Sequence, residues 1–298
     1  MPQPSVAVVH DFTAMLGEGL LWAPREQALY WLDTAQKKLV RVRSPYRTSE
    51  VRDLPYRPSS LALLPDGELL VAYKKGIGRF AFSSGRAEQF ALEGVGLDSA
   101  SFNDGACDSA GRLWIGTRAS NGVDPVGALY SIGKGLRANR AVEGLVVSNG
   151  IAWSPDERTM YHVDSRPGRI DAYDFDVQTG MLSNRRTFQD YAGRGRRPDG
   201  CTVDSEGFLW VAEIDGARIA RYAPDGSWER EIMLPVQRPT NVAFGEKDLA
   251  TLFITSMRFG LAEAELATQP DAGKLMMLRP GVRGVPERSF RGLEDRSG

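Results

Sequence analysis

The side chains best able to do chemistry in this 298-residue chain are oxygen donors, and they recur in step. Glu18, Ser60, Asp104, Asn149, Asp199 and Asn241 each introduce a short apolar run, roughly 40–50 residues apart. Asn103 stands beside Asp104. Carboxylates and amides can hold a hard divalent cation, take a proton from water, or orient a hydroxyl. Other chemistries are scarce. Only two histidines occur, His10 and His162, so neither a His-rich zinc site nor a pair of histidines working as acid and base can be assembled. A Ser-His-Asp triad would need one of these two, and neither lies near a G-x-S-x-G turn. The two cysteines, Cys107 and Cys201, have no metal-type spacing and read as buried, inert residues of inner strands.

The elements that must position these donors form a repeat. Its clearest copies are Asp104-Gly-Ala-Cys-Asp-Ser-Ala-Gly-Arg-Leu-Trp and Asp199-Gly-Cys-Thr-Val-Asp-Ser-Glu-Gly-Phe-Leu-Trp. Each copy is an apolar strand, a turn rich in Pro, Asp and Gly, and a second strand rich in aromatic and β-branched residues. Six copies at this period predict an all-β six-bladed β-propeller spanning residues 1–298 as one domain, with blades starting near 18, 60, 104, 149, 199 and 241. Residues 5–9 are expected to close the ring beside residues 274–278, which removes a free sheet edge. Helical periodicity is confined to residues 261–267. Trp22, Trp114, Trp153 and Trp210 occupy equivalent strand positions and read as core.

In a propeller the inner strands surround one channel, so equivalent starting positions converge at one mouth. Two readings of that polar ring are open. The residues can cap turns and bind channel water, or they can hold a divalent cation that removes the repulsion between carboxylates sharing a funnel. An all-oxygen set suits calcium, magnesium or manganese.

At these residues the chain resembles the senescence-marker-protein/gluconolactonase (regucalcin-like) family of sugar lactonases. The resemblance runs through Leu16-Gly17-Glu18-Gly19, Phe102-Asn103-Asp104-Gly105, Ser148-Asn149-Gly150-Ile151, Arg197-Pro198-Asp199-Gly200 and Pro239-Thr240-Asn241-Val242, in order, from about residue 14 to residue 290. It implies a six-bladed propeller that hydrolyses an aldonolactone with one divalent metal (Ca, Mg, Mn, Zn or Fe(II)). By position, Glu18, Asn149 and Asp199 match the metal ligands. Asp199 would be general base for the attacking water, and Asn103 would touch substrate. The chain also departs from the family pattern. Ser101 stands where the family often has an arginine that anchors substrate hydroxyls, the segment Gly116-Thr117-Arg118 lacks a following acid, and Phe244-Gly245-Glu246 replaces F-G-G.

Basic residues near the ring are of two kinds. Arg197, with Arg194 and Arg196, either reaches over the mouth toward an acidic lactone or belongs to a solvated loop. Arg118 and Arg166 follow second strands and are expected at the opposite face or between blades. With 37 basic and 38 acidic side chains the chain has no global field for nucleic acid or lipid, so the expected partner is a small sugar lactone. No leader or apolar span is evident and cysteines are few, which leads to an expectation of a cytoplasmic protein. Oligomeric state is not legible. Competing readings are another metal-dependent esterase or phosphotriesterase, and a non-catalytic propeller that binds metal or ligand.

Overall fold

The computed structural model describes residues 4–9 and 12–293, so His10 lies outside the described residues. Its strands form six four-stranded antiparallel sheets. Five are built from four consecutive strands. The sixth takes Pro239–Gly245, Thr251–Ser256 and Met276–Leu278 from one end of the chain and Ala7–Val8 from the other. Ala7 pairs with Met277 and Val8 with Met276, the ring closure expected for the leading segment. The chain is a six-bladed β-propeller.

The inner strands, blades I to VI in order, are Gly17–Ala23, Pro58–Leu63, Ala100–Cys107, Ser148–Trp153, Arg197–Val203 and Pro239–Gly245. The second strands, such as Ala28–Asp33 and Leu209–Ile214, are buried along their whole length. Both faces of each blade pack on a neighbour, which is why these runs are continuously apolar rather than alternating. Outer strands such as Arg86–Phe90 are polar and exposed because nothing covers them. Leu21, Tyr30, Leu61, Val71 and Phe80 join blades I and II. Trp114, Trp153 and Phe175 join III and IV, with ring centroids 5.8–6.4 Å apart. Each such side chain contributes about 1.5–3 kcal/mol of burial. All four tryptophans read as core are buried, and so are both cysteines.

The far end of the channel is covered by a strap with no repeat signature. Ser205 N donates to Arg283 O, Gly284 N to Leu249 O, Phe290 N to Leu63 O and Arg291 N to Gly111 O, at 2.8–2.9 Å. These partners belong to four different blades, and residues 285–288 line a small inner cavity of about 100 Å³. Access to the channel is therefore from the end where the inner strands begin. The α-helix among the described residues is Glu263–Thr268, overlapping the segment expected to be helical and running one residue past it.

Candidate active site at the channel mouth

Every inner strand carries a register irregularity at its start. The shifts fall between Glu18 and Leu21, Pro58 and Ser60, Phe102 and Gly105, Asn149 and Ile151, Pro198 and Cys201, and Pro239 and Asn241. A bulge adds one unpaired residue, increases the twist and re-aims side chains. Here it turns polar residues off the blade face and toward the axis. Small residues let the bulges crowd together: a Cβ on Gly150 would lie 2.6 Å from Asp199 O and 2.7 Å from Cys201 Sγ.

The outcome is a cavity of about 640 Å³ lined by Glu18, Ser101, Asn103, Asp104, Asn149, Arg197 and Asp199 among others. All six residues singled out as metal, catalytic or substrate candidates are therefore brought to one place. The ring of six starting positions is split, however. Asp104 lines both the mouth and the deeper cavity, Asn241 lines only the deeper one, and Ser60 is buried with its Oγ unpartnered, leaving Ser59 to face the mouth. The bulges do not fall at the same register in every blade, so equivalence in sequence is not equivalence in depth.

Hydrogen bonds fix the amides. Asn103 Nδ2 donates to Asn149 Oδ1 at 2.7 Å and to Ser148 O at 2.9 Å, while Lys74 Nζ donates to Asn103 Oδ1 at 3.2 Å and to Phe102 O at 3.1 Å. Asn149 Nδ2 donates to Ser165 Oγ at 2.7 Å, and that hydroxyl donates to Pro198 O at 2.6 Å. The network holds Asn149 with its carbonyl oxygen away from Ser165. Both Asn103 amide hydrogens are spent inside the wall, so a substrate can use only its carbonyl oxygen.

The carboxylates are not compensated in the same way. Burial, then the neighbouring Asp104 charge, pushes Glu18 well above the carboxylate range, with Lys74 and a hydrogen bond from Asn241 opposing. Asp199 is only 3% exposed and has no hydrogen-bond donor among the described residues. Burial and the charges of Glu18 and Asp104 raise it well above its ordinary value, against Arg197 and Arg118. Asp104 is raised to about 6 by burial, although Gly105 N donates to it at 2.8 Å. Lys74 is lowered to about 7 by burial and by Arg118 and Arg57.

Four basic residues at the mouth were missed or misplaced by sequence reasoning. Arg118 and Arg166, expected at the opposite face or between blades, line the mouth cavity, and so do Arg57 and Lys74. Each stands at the mouth end of a strand or just beyond it, a signal that counting blade starts alone ignores. Within the basic run, only Arg197 lines the cavity, and it is paired with Asp215 at 3.1 Å. Arg196 is tied to Glu213 at 2.6 Å and Arg194 to Gln189. Ser148 Oγ does meet His162 Nε2 at 2.7 Å, but both are buried between strands and no substrate can reach them.

Whether these residues suit a metal can be judged from the donors alone. Among the described residues no three His, Cys, Asp or Glu side chains are grouped as a metal cluster. Glu18 and Asp199 are instead two carboxylates accompanied by the Asn149 amide. Glu18 is raised by burial and by Asp104, and Asp199 by burial, Glu18 and Asp104, with no donor to Asp199 among the described residues; two such buried acids are what a bound divalent cation would relieve. The set fits a hard cation and not a thiolate- or imidazole-seeking one.

Fold and mouth together define a propeller with an oxygen-donor site at one end of its channel. Residues 16–258 match the model of the SMP-30/Gluconolactonase/LRE-like region, and the chain belongs to that family. It is 37% identical over 284 residues to the 6-deoxy-6-sulfogluconolactonase of Pseudomonas putida, covering 94% of this chain and 96% of that one. It is 32% identical to regucalcin of Oryctolagus cuniculus, covering 93% and 95%. Among solved structures, a calcium-binding regucalcin from Agrobacterium tumefaciens superposes with a TM-score of 0.90 at 26% identity, covering 97% of each chain. No helix among the described residues is long and apolar enough to cross a membrane.

Proposed function

We propose that this chain is a divalent-metal-dependent hydrolase that opens a sugar (aldono-)lactone to the sugar acid. The observation that carries the reading is the pair of unneutralised carboxylates, Glu18 and Asp199, set beside the fixed amide of Asn149 at an open channel mouth. The family and the lactonase name of a relative aligned over nearly the whole chain support it.

Glu18, Asn149 and Asp199 would hold the cation, which when bound supplies electrophilic polarisation of the lactone carbonyl. Calcium, magnesium, manganese, zinc and iron(II) are the ions to compare. Asp199, kept ionised by the cation, takes the proton from the attacking water. Asn103, held by Asn149 and Lys74, offers its carbonyl oxygen to a substrate hydroxyl. Ser101 and Arg197 face the same cavity and complete the substrate wall.

The test is proton release from a panel of aldonolactones, using chelator-stripped protein with each ion added back and Asp199→Asn as control. Metal-restored turnover that collapses in the variant supports the reading. Metal binding without turnover above the spontaneous rate would favour a non-catalytic binding propeller, and turnover only of aryl esters or phosphotriesters another hydrolase.

A further inference from the structure

The mouth cavity is lined by five basic side chains, Arg57, Lys74, Arg118, Arg166 and Arg197, against three carboxylates, Glu18, Asp104 and Asp199. A bound divalent cation would widen that excess of positive charge. Arg197 has a carboxylate partner in Asp215, but among the described residues Arg57, Lys74, Arg118 and Arg166 have none within ion-pair distance. A chain that is nearly neutral overall thus concentrates unpaired cations at the place where substrate must arrive.

Three of them form one wall, and backbone pairing fixes it. Arg57 and Lys74 flank blade II, where Lys74 N donates to Arg57 O at 3.0 Å. Phe102 N of blade III donates to Lys74 O at 3.0 Å, which joins the two blades at this point. Arg118 lies directly across the sheet from Ser101, and both line the mouth cavity. The three cations are close enough to repel: Arg118 and Arg57 both depress Lys74, and Arg57 depresses Arg118. Like charges are kept together at a cost in stability, and an arriving anion removes that cost.

We propose that the lactone taken by this site carries a tetrahedral oxyanion substituent, a sulfonate or a phosphate, and that Arg57, Lys74 and Arg118 bind it. The inference rests on the lactonase reading and narrows its substrate class. Donors approaching from three strand ends suit an end group with three terminal oxygens, whereas a flat carboxylate is matched by a single arginine fork. Asn103 links this wall to the carboxylate site, because it accepts from Lys74 and donates to Asn149. Binding the anion therefore orients the ring relative to Asp199.

The test compares gluconolactone, 6-phosphogluconolactone, 6-deoxy-6-sulfogluconolactone and a lactone ending in a carboxylate, on the metal-loaded full chain. The expected result is a kcat/KM for the phosphate or sulfonate lactone at least about tenfold above that for the uncharged one. The ratio should collapse toward unity in Arg118→Met and fall in Arg57→Met, an exposed position where misfolding is not a concern. The phosphate and sulfonate arms separate the two sources of the oxyanion. Equal efficiency on charged and uncharged lactones, with no change of ratio in either variant, would overturn the inference and leave the lactonase reading standing. Preference for the carboxylate lactone would also overturn it. If no lactone is opened, calorimetric binding of 6-phosphogluconate against gluconate decides without turnover: tighter binding of the phosphate, lost in Arg118→Met, upholds the oxyanion wall, and equal affinity removes it.

Discussion

Two of the inner strands carry an aspartate at each end, and the two ends behave differently. In blade III, Asp104 faces the mouth and Asp108 follows the strand at the strap side. In blade V, Asp199 and Asp204 repeat the arrangement. Asp204 accepts from Trp210 Nε1 at 2.8 Å, Arg221 Nε at 2.8 Å and the backbone of Glu206 and Phe208. Asp108 accepts from Trp114 Nε1 at 2.8 Å and Arg112 Nε at 2.6 Å. Among the described residues Asp199 has no donor and Asp104 has one, from its own neighbour. A buried carboxylate saturated by hydrogen bonds ties a blade together, and one left without them is poised for a ligand. The same residue type in the same repeat thus serves stability at one end of the strand and chemistry at the other.

Exchanging the ends by mutation should break the comparison in opposite directions. Asp199→Asn should lower lactone turnover by about 10²–10⁴-fold, the range for losing a general base. Its melting temperature without metal should hold or rise, because a desolvated charge is removed, and a thermal scan beside the activity assay reads both. Asp204→Ala should do the reverse. It leaves Trp210 Nε1 without its acceptor and the buried Arg221 with Glu206 but not Asp204, and costs about 3 kcal/mol in urea unfolding, with turnover per folded molecule unchanged. Gly150→Ala should cost about 1–3 kcal/mol through overpacking. It should also weaken cation binding, since the new methyl meets Asp199 O and Cys201 Sγ.

A smaller effect sharpens the contrast through pH. Glu18, Asp104 and Asp199 have folded-state pKa values above their unfolded values, so the folded chain binds more protons. Stability of metal-stripped protein should therefore fall as pH rises from about 4, through about 6 for Asp104. Lys74 acts oppositely at higher pH. Its folded value of about 7 lies below the unfolded one, so stability should recover from there toward about pH 10. Chemical denaturation across pH, repeated with a divalent ion present, should show the acidic-side slope flattened by the ion.

Much of this was legible in the sequence. The period and the strand–turn–strand pattern contain the blade number, the ring closure and the buried tryptophans, because each blade repeats the same local solution. The candidate donors Glu18, Asn103, Asn149 and Asp199 were legible for the same reason. What the repeat could not convey is what differs between blades. Asn241 lines only the deeper cavity and Ser60 is buried, whereas Glu18 lines the mouth. Arg57, Lys74 and Arg118 enter the mouth from strand ends that carry no common motif. The strap lies outside the repeat, and its backbone pairing with four blades depends on where the chain goes after the last strand.

The central claim is that Glu18, Asn149 and Asp199 form a cation site on which lactone opening depends. Calorimetric titration of a divalent ion into chelator-stripped protein, with lactone turnover followed at each addition, tests it most directly. One ion should bind per chain, turnover should rise in proportion to occupancy, and Asp199→Asn should lose both while Asp204→Ala keeps both. Full turnover in the stripped protein, or unaltered ion binding in Asp199→Asn, would contradict the account.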